Sequence, residues 1–113
     1  MKFTISLKSN RDFQQIYRQG TSYANRFLVM YIVRNQSDNN KLGISVSKKV
    51  GNSVVRHRTK RLIKESYRLN EADFVTGCDI VIIARASAAD AAYKEIESAL
   101  LNLFKRHKLL NNL

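Results

Sequence analysis

The 113-residue chain carries 20 Lys plus Arg against 9 Asp plus Glu, a formal charge of +11, and 44% of its residues are hydrophobic. That length suits one domain, 1–113, around one core; the apolar fraction excludes a disordered polyelectrolyte, and the charge creates a field that draws polyanions and repels copies of itself. Cys78 is the lone cysteine, which excludes an internal disulfide and a cysteine-based zinc site, and no stretch is apolar and long enough to span a bilayer.

Nucleic acid is therefore the expected partner, ahead of a membrane surface. The first residues, Met1-Lys2-Phe3-Thr4-Ile5, lack the apolar segment of a signal peptide, so a reducing, cytoplasmic setting is expected. Spacing predicts a first helix over residues 10–19, capped by Ser9 with Asp12 three positions on, and stopped at Gly20. Phe13, Ile16 and Tyr17 share one face of it, which periodicity alone reads as helix-to-sheet core. A weakly signalled strand falls over 22–25. Residues 27–34 are β-branched and aromatic, predicting a strand with Phe27, Val29, Tyr31 and Val33 on one face and Leu28, Met30 and Ile32 on the other.

Ser37-Asp38-Asn39-Asn40 reads as a turn, and residues 42–47 as a strand with Leu42, Ile44 and Val46 inward. A long helix is expected over 53–69, opened by Gly51-Asn52-Ser53. The run Ile80-Val81-Ile82-Ile83 predicts a strand covered on both faces over 79–84, with Cys78 inert at its start. Ser87 with Asp90 reads as the cap of a last helix reaching about residue 107, with Tyr93, Ile96, Leu100 and Leu103 as its apolar stripe. The order αβββαβα indicates an α+β fold, an α/β sandwich with a single mixed sheet.

The chemistry-bearing segment is the long helix. Residues 41–68 hold nine of the twenty basic residues and one acid, Glu65. At about 100° per residue, Val55, Thr59, Leu62, Ile63, Ser66 and Leu69 gather on one side. Arg56, His57, Lys60, Arg61, Lys64 and Arg68 take the opposite side, with Arg58 at the border. Cations at three- and four-residue spacing repel by a few tenths of a kcal/mol per pair, which a phosphate backbone would offset. Lys48 and Lys49 extend the patch beyond the helix. A solvated charged face is the alternative, though such faces usually mix signs.

The run Ser45-Val46-Ser47-Lys48-Lys49, the Gly51-Asn52 turn, then Arg56-His57-Arg58 and Lys60-Arg61 resemble the bacterial ribonuclease P protein component. That family's signature is a Ser-Val-Ser-Lys-Lys strand, a Gly-Asn turn and an Arg-Asn-Arg helix followed by Lys-Arg. His57 stands where the family has asparagine; its ring can still donate or accept a hydrogen bond. Asp12-Phe13, Tyr17, Gly20-Thr21-Ser22, Ala24-Asn25-Arg26, Tyr31 and Ile82-Ile83-Ala84-Arg85 extend the likeness over nearly the whole chain.

The resemblance implies a ribosomal protein S5 domain 2-like sandwich with a left-handed βαβ crossover, against the general right-handed rule. It implies two partners, ribonuclease P RNA and precursor tRNA, with no protein partner required. Magnesium would be held mainly by the RNA. By position it assigns Arg56, His57, Arg58, Lys60, Arg61 and Lys64 to the RNA subunit. It assigns Phe13, Tyr17 and Tyr31, with Lys48 and Lys49, to the single-stranded 5′ leader. No catalytic residue is expected in the protein: His57 and His107 sit on basic helices, and Asp12, Asp79 and Asp90 read as caps or turns. A ribosomal protein or general RNA chaperone would fit the charge equally well; the length of the match favours the processing role.

Overall fold

The computed structural model describes residues 1–111, so the last two positions of the expected 1–113 domain lie outside the described residues. Five strands form one mixed sheet: β1 (Thr4–Ser6), β2 (Thr21–Ala24), β3 (Leu28–Arg34), β4 (Asn40–Ser45) and β5 (Cys78–Ala84). Their spatial order is β1-β4-β5-β3-β2. β1, β4 and β5 run parallel, while β3 and β2 join antiparallel. Three helices complete the fold, α1 (Asn10–Gln19), α2 (Ser53–Asn70) and α3 (Tyr93–Arg106), with single 3-10 turns at Glu71–Asp73 and Ala86–Asp90.

The order αβββαβα holds from α1 onward, and the structure adds β1 ahead of it. Three residues, with Ile5 half exposed at the sheet edge, carry too little alternation to signal a strand. α1 has the expected ends: the Ser9 hydroxyl accepts from the Asp12 backbone N–H at 3.2 Å, and the Gly20 N–H closes the helix on the Ile16 carbonyl. β4 sits two residues earlier than expected at both ends. The Ser87–Asp90 cap is corrected. Ser87 donates instead to the Arg26 carbonyl, residues Ala86–Asp90 form a 3-10 turn, and α3 starts at Tyr93, where Glu95 accepts from the Ala92 N–H at 2.9 Å.

Strand alternation sorts the sheet into two unequal faces. Leu28, Met30 and Ile32 of β3 pair with Ala84, Ile82 and Ile80 of β5, and all join α2 and α3 in the main core. Phe74 and Phe104 stack there at 3.7 Å, with Tyr67 tilted against both. Leu69, expected on the apolar side of α2, is exposed, and Tyr67 is buried in its place. The end of α2 runs over the β1 side of the sheet, so the direction that is solvent in its first turns becomes interior in its last. The opposite face carries α1 alone. Ile16 is its one buried side chain, Val81 is buried on the same face of the sheet, and Tyr31 meets Tyr17 edge-on at 5.1 Å.

β1 is held by a carboxylate. Glu71 accepts from the backbone N–H groups of Lys2 (2.8 Å) and Phe3 (3.2 Å) and from the Thr4 hydroxyl, which also bonds Tyr67. Burial alone would raise the Glu71 carboxyl, but the Thr4 hydroxyl, the two amides and the N-terminal ammonium outweigh it and hold it below its ordinary value. A depressed folded value stabilises the fold fully above the unfolded carboxyl's range, and that share is lost as pH falls through the folded value. Glu71→Gln should cost about 1–3 kcal/mol at neutral pH, the penalty of leaving one buried donor unmet when an amide replaces one carboxylate oxygen. The parent's melting temperature should fall more steeply on acidification than the variant's. Parallel curves would show that the carboxylate contributes nothing.

Candidate nucleic-acid interface

Asn52 opens α2 by accepting from the Val55 N–H through its side chain at 3.0 Å. That cap sets the helix's rotation. Thr59, Ile63 and Ser66 turn inward, with the Thr59 and Ser66 hydroxyls returned to α2's own carbonyls. His57, Lys60, Arg61 and Lys64 are exposed, and Arg56 is half-buried.

The first turns of α2 face α1 across the end of β4. Between them lies a groove of about 550 Å³. Phe13 and Tyr17 form one wall with Asn10 and Gln14, and Arg56, His57 and Lys60 form the other. Ile44, Ser45 and Val46 make the floor. Beyond Phe13 and Lys60 a smaller hollow, of about 160 Å³, continues to Leu7, Met1 and Lys64. The two share Phe13, Ile44 and Lys60, so they form one trough with aromatic and cationic sides.

The aromatics of α1 divide between core and groove. Ile16 is the buried residue of α1, while Phe13 and Tyr17 are half-buried with surface on the groove. Gly43 explains how Phe13 lies so close to the sheet, because a Cβ there would sit 2.5 Å from the ring. Burial raises the Tyr17 phenol above its ordinary value, partly offset by a hydrogen bond with Ser45. Tyr31 does not line the groove but buttresses Tyr17 from the sheet. Phe13 and Tyr17 meet edge-on at 6.5 Å, leaving ring surface toward the opening.

The remaining site candidates separate. Lys48 and Lys49 are exposed in the turn between β4 and α2, outside the groove lining. Arg61 is exposed and also outside it. Arg58 turns away and donates to the Ala89 and Ala91 carbonyls at 3.3 and 3.2 Å, tying α2 to the segment before α3. Arg68 is answered within the helix by Glu65, whose carboxyl that hydrogen bond holds below its ordinary value. Sequence reasoning placed the cationic helix and the aromatic cleft on two surfaces, whereas Arg56, His57 and Lys60 share the aromatic groove. It also missed Asn10, Gln14 and Ser45; the spacing of Asn10, Gln14 and Tyr17 along one helix face was the available signal. Among the described residues no three His, Cys, Asp or Glu side chains converge as a metal cage, and no helix is long and apolar enough to cross a membrane.

A family model described as Ribonuclease P matches residues 1–108. The chain is 54% identical to the ribonuclease P protein component of Alkaliphilus metalliredigens over 111 residues, covering 98% of this chain and 100% of that one. It is 51% identical to the Clostridioides difficile counterpart, covering 91% of each. Among solved structures, the Staphylococcus aureus RNase P protein superimposes with a TM-score of 0.86 at 41% identity, covering 94% of this chain and 97% of that one. The Thermotoga maritima RNase P protein gives 0.83 at 33% identity, covering 90% and 96%.

Proposed function

Because the chain belongs to the ribonuclease P protein family, we propose that it binds the catalytic RNA of ribonuclease P and grips the 5′ leader of precursor tRNA while the RNA performs the cleavage. The observation that carries this reading is the trough itself, with aromatic rings on one side and unpaired cations on the other. Unpaired bases stack on aromatic faces at about 1–3 kcal/mol each with little demand on sequence. Arginine can fork onto a phosphate and lysine adds a point charge. A groove of this kind suits a strand whose sequence varies from one precursor to the next.

The cations of α2 at and beyond the rim of the trough, Lys64 and Arg61 first, are the surface for the RNA subunit. Arg56, His57 and Lys60 lie where that surface meets the leader. Two polyanions must approach each other for cleavage, and a protein of charge +11 between them replaces part of the screening that metal ions would supply. Its effect is therefore greatest when magnesium is scarce.

The test is cleavage of a precursor tRNA at low magnesium, by ribonuclease P RNA with and without the protein. The protein should accelerate the RNA and cut nothing alone. Cleavage by rigorously RNA-free protein, or no acceleration at low magnesium, would contradict the proposal.

A further inference from the structure

A second cationic hollow lies at the opposite edge of the sheet from the trough, where β2, the end of α1 and the end of α3 meet. It measures about 460 Å³ and includes Tyr23, Arg34, Arg106, His107 and Lys108 in its lining. No Asp or Glu lines it. Its volume is within the roughly 300–1,000 Å³ of sites that enclose a small ligand.

Two of its groups are held in place before any ligand arrives. The Arg106 guanidinium lies over the Tyr23 ring at 4.7 Å and donates to the Ala24 carbonyl at 2.7 Å. The His107 ring also meets Tyr23, edge-on at 4.7 Å, and is tied to the Met30 carbonyl at 3.1 Å. Burial and the neighbouring Arg106 keep the imidazole's value low, against the Met30 hydrogen bond. The chain then leaves α3 through Lys108 in the left-handed region, φ 61°. Glycine or asparagine usually takes that position, yet here it carries a cation. Arg34 and Lys108 are exposed, and the Arg68–Glu65 ion pair lies within α2, outside this hollow. Like charges gathered without a carboxylate repel one another, and an anion would relieve that.

We infer that this hollow is a second RNA-binding site, taking one nucleotide with its base against the Arg106–Tyr23 pair and its flanking phosphates on Arg34 and Lys108. Stacking of an unpaired base on an aromatic ring or an arginine plane is a common mode of RNA recognition. The site rests on the reading of the chain as an RNA-binding subunit, but it shares no residue with the trough. The RNA engaged here is either the RNA subunit or the precursor, and the two are separable by experiment.

Arg34→Gln/Lys108→Gln removes the phosphate contacts at exposed positions. Its binding is measured between 50 and 200 mM salt in two arms: protein with ribonuclease P RNA, and assembled holoenzyme with precursor tRNA. Two lost phosphate contacts should lower the log–log salt slope by about 1.4–1.8 in one arm, so the parent loses roughly 7- to 12-fold more affinity than the variant across that range. The affected arm names the RNA. Tyr23→Leu, which removes the ring under Arg106, should weaken the same arm without altering its salt slope. Unchanged slopes in both arms for the double variant would overturn the inference. Trough variants run in parallel distinguish that failure from failure of the RNA-binding reading, since a chain that binds no RNA through α2 would leave them unchanged too.

Discussion

Replacing Arg56, Lys60 and Lys64 with glutamine should produce a large loss of affinity for ribonuclease P RNA. The three repeat every four residues along α2, Lys60 and Lys64 are exposed, and none makes a hydrogen bond on which a neighbouring element depends. If each neutralises one phosphate, the log–log salt slope should fall by about 2.1–2.7. Between 50 and 200 mM salt the parent would then lose on the order of 20- to 40-fold more affinity than the variant. Melting should stay close to the parent's, and relief of like-charge repulsion along the helix could raise it slightly. Arg58 belongs outside this set: its guanidinium holds the Ala89 and Ala91 carbonyls, so its removal would mix lost stability with lost binding. Equal slopes for parent and triple variant would remove α2 from the RNA interface.

Tyr17→Ala should give the second-largest effect, and it should appear as a property of the leader. Loss of one stacked base should weaken binding of a leader-bearing precursor by about 1–3 kcal/mol, with binding of mature tRNA nearly unchanged. Tyr17 is half-buried, so stability should fall too, but by less than at a core site. Ile16→Ala supplies the comparison. That neighbour is 3% exposed, and its truncation should cost about 2–5 kcal/mol of folding stability without a preference for leader-bearing RNA. Adjacent residues on one helix would then report separately on packing and on binding. If Tyr17→Ala instead behaved like Ile16→Ala, the ring would be serving the small core under α1.

Much of the fold was legible because its elements have simple periods. Leu28, Met30 and Ile32 alternate cleanly, and β3 buries that set. Ser9 and Gly20 mark the two ends of α1. What stayed hidden depends on neighbours distant in sequence. Asn40 reads as a turn residue, yet it is 1% exposed at the head of β4, where its side chain bonds Tyr67, the Val75 carbonyl and the Cys78 N–H. Tyr67 falls among the cations of α2 on a helical wheel and is nevertheless buried, because the helix passes over β1 and the Phe74–Phe104 stack only in its second half. A wheel has no way to represent that change of surroundings along the axis.

The site was legible as residue types and not as an arrangement. Basic spacing and resemblance identified Arg56, His57 and Lys60 and, separately, Phe13 and Tyr17. Their convergence follows from β4 ending at Ser45, which brings the cap of α2 beside α1. The diversion of Arg58 had no local signal, since its carbonyl partners lie 31 and 33 residues away.

The central claim is that the trough between α1 and α2 holds the single-stranded leader. It is tested most directly by the affinity of the holoenzyme for precursors whose leaders are lengthened one nucleotide at a time from none, with the parent protein and with Tyr17→Ala. With the parent, affinity should rise as the leader first reaches the trough and then level off, and the rise should be cut by about 1–3 kcal/mol in the variant. The same rise with the variant as with the parent, or no rise with either, would contradict the assignment of the leader to this groove.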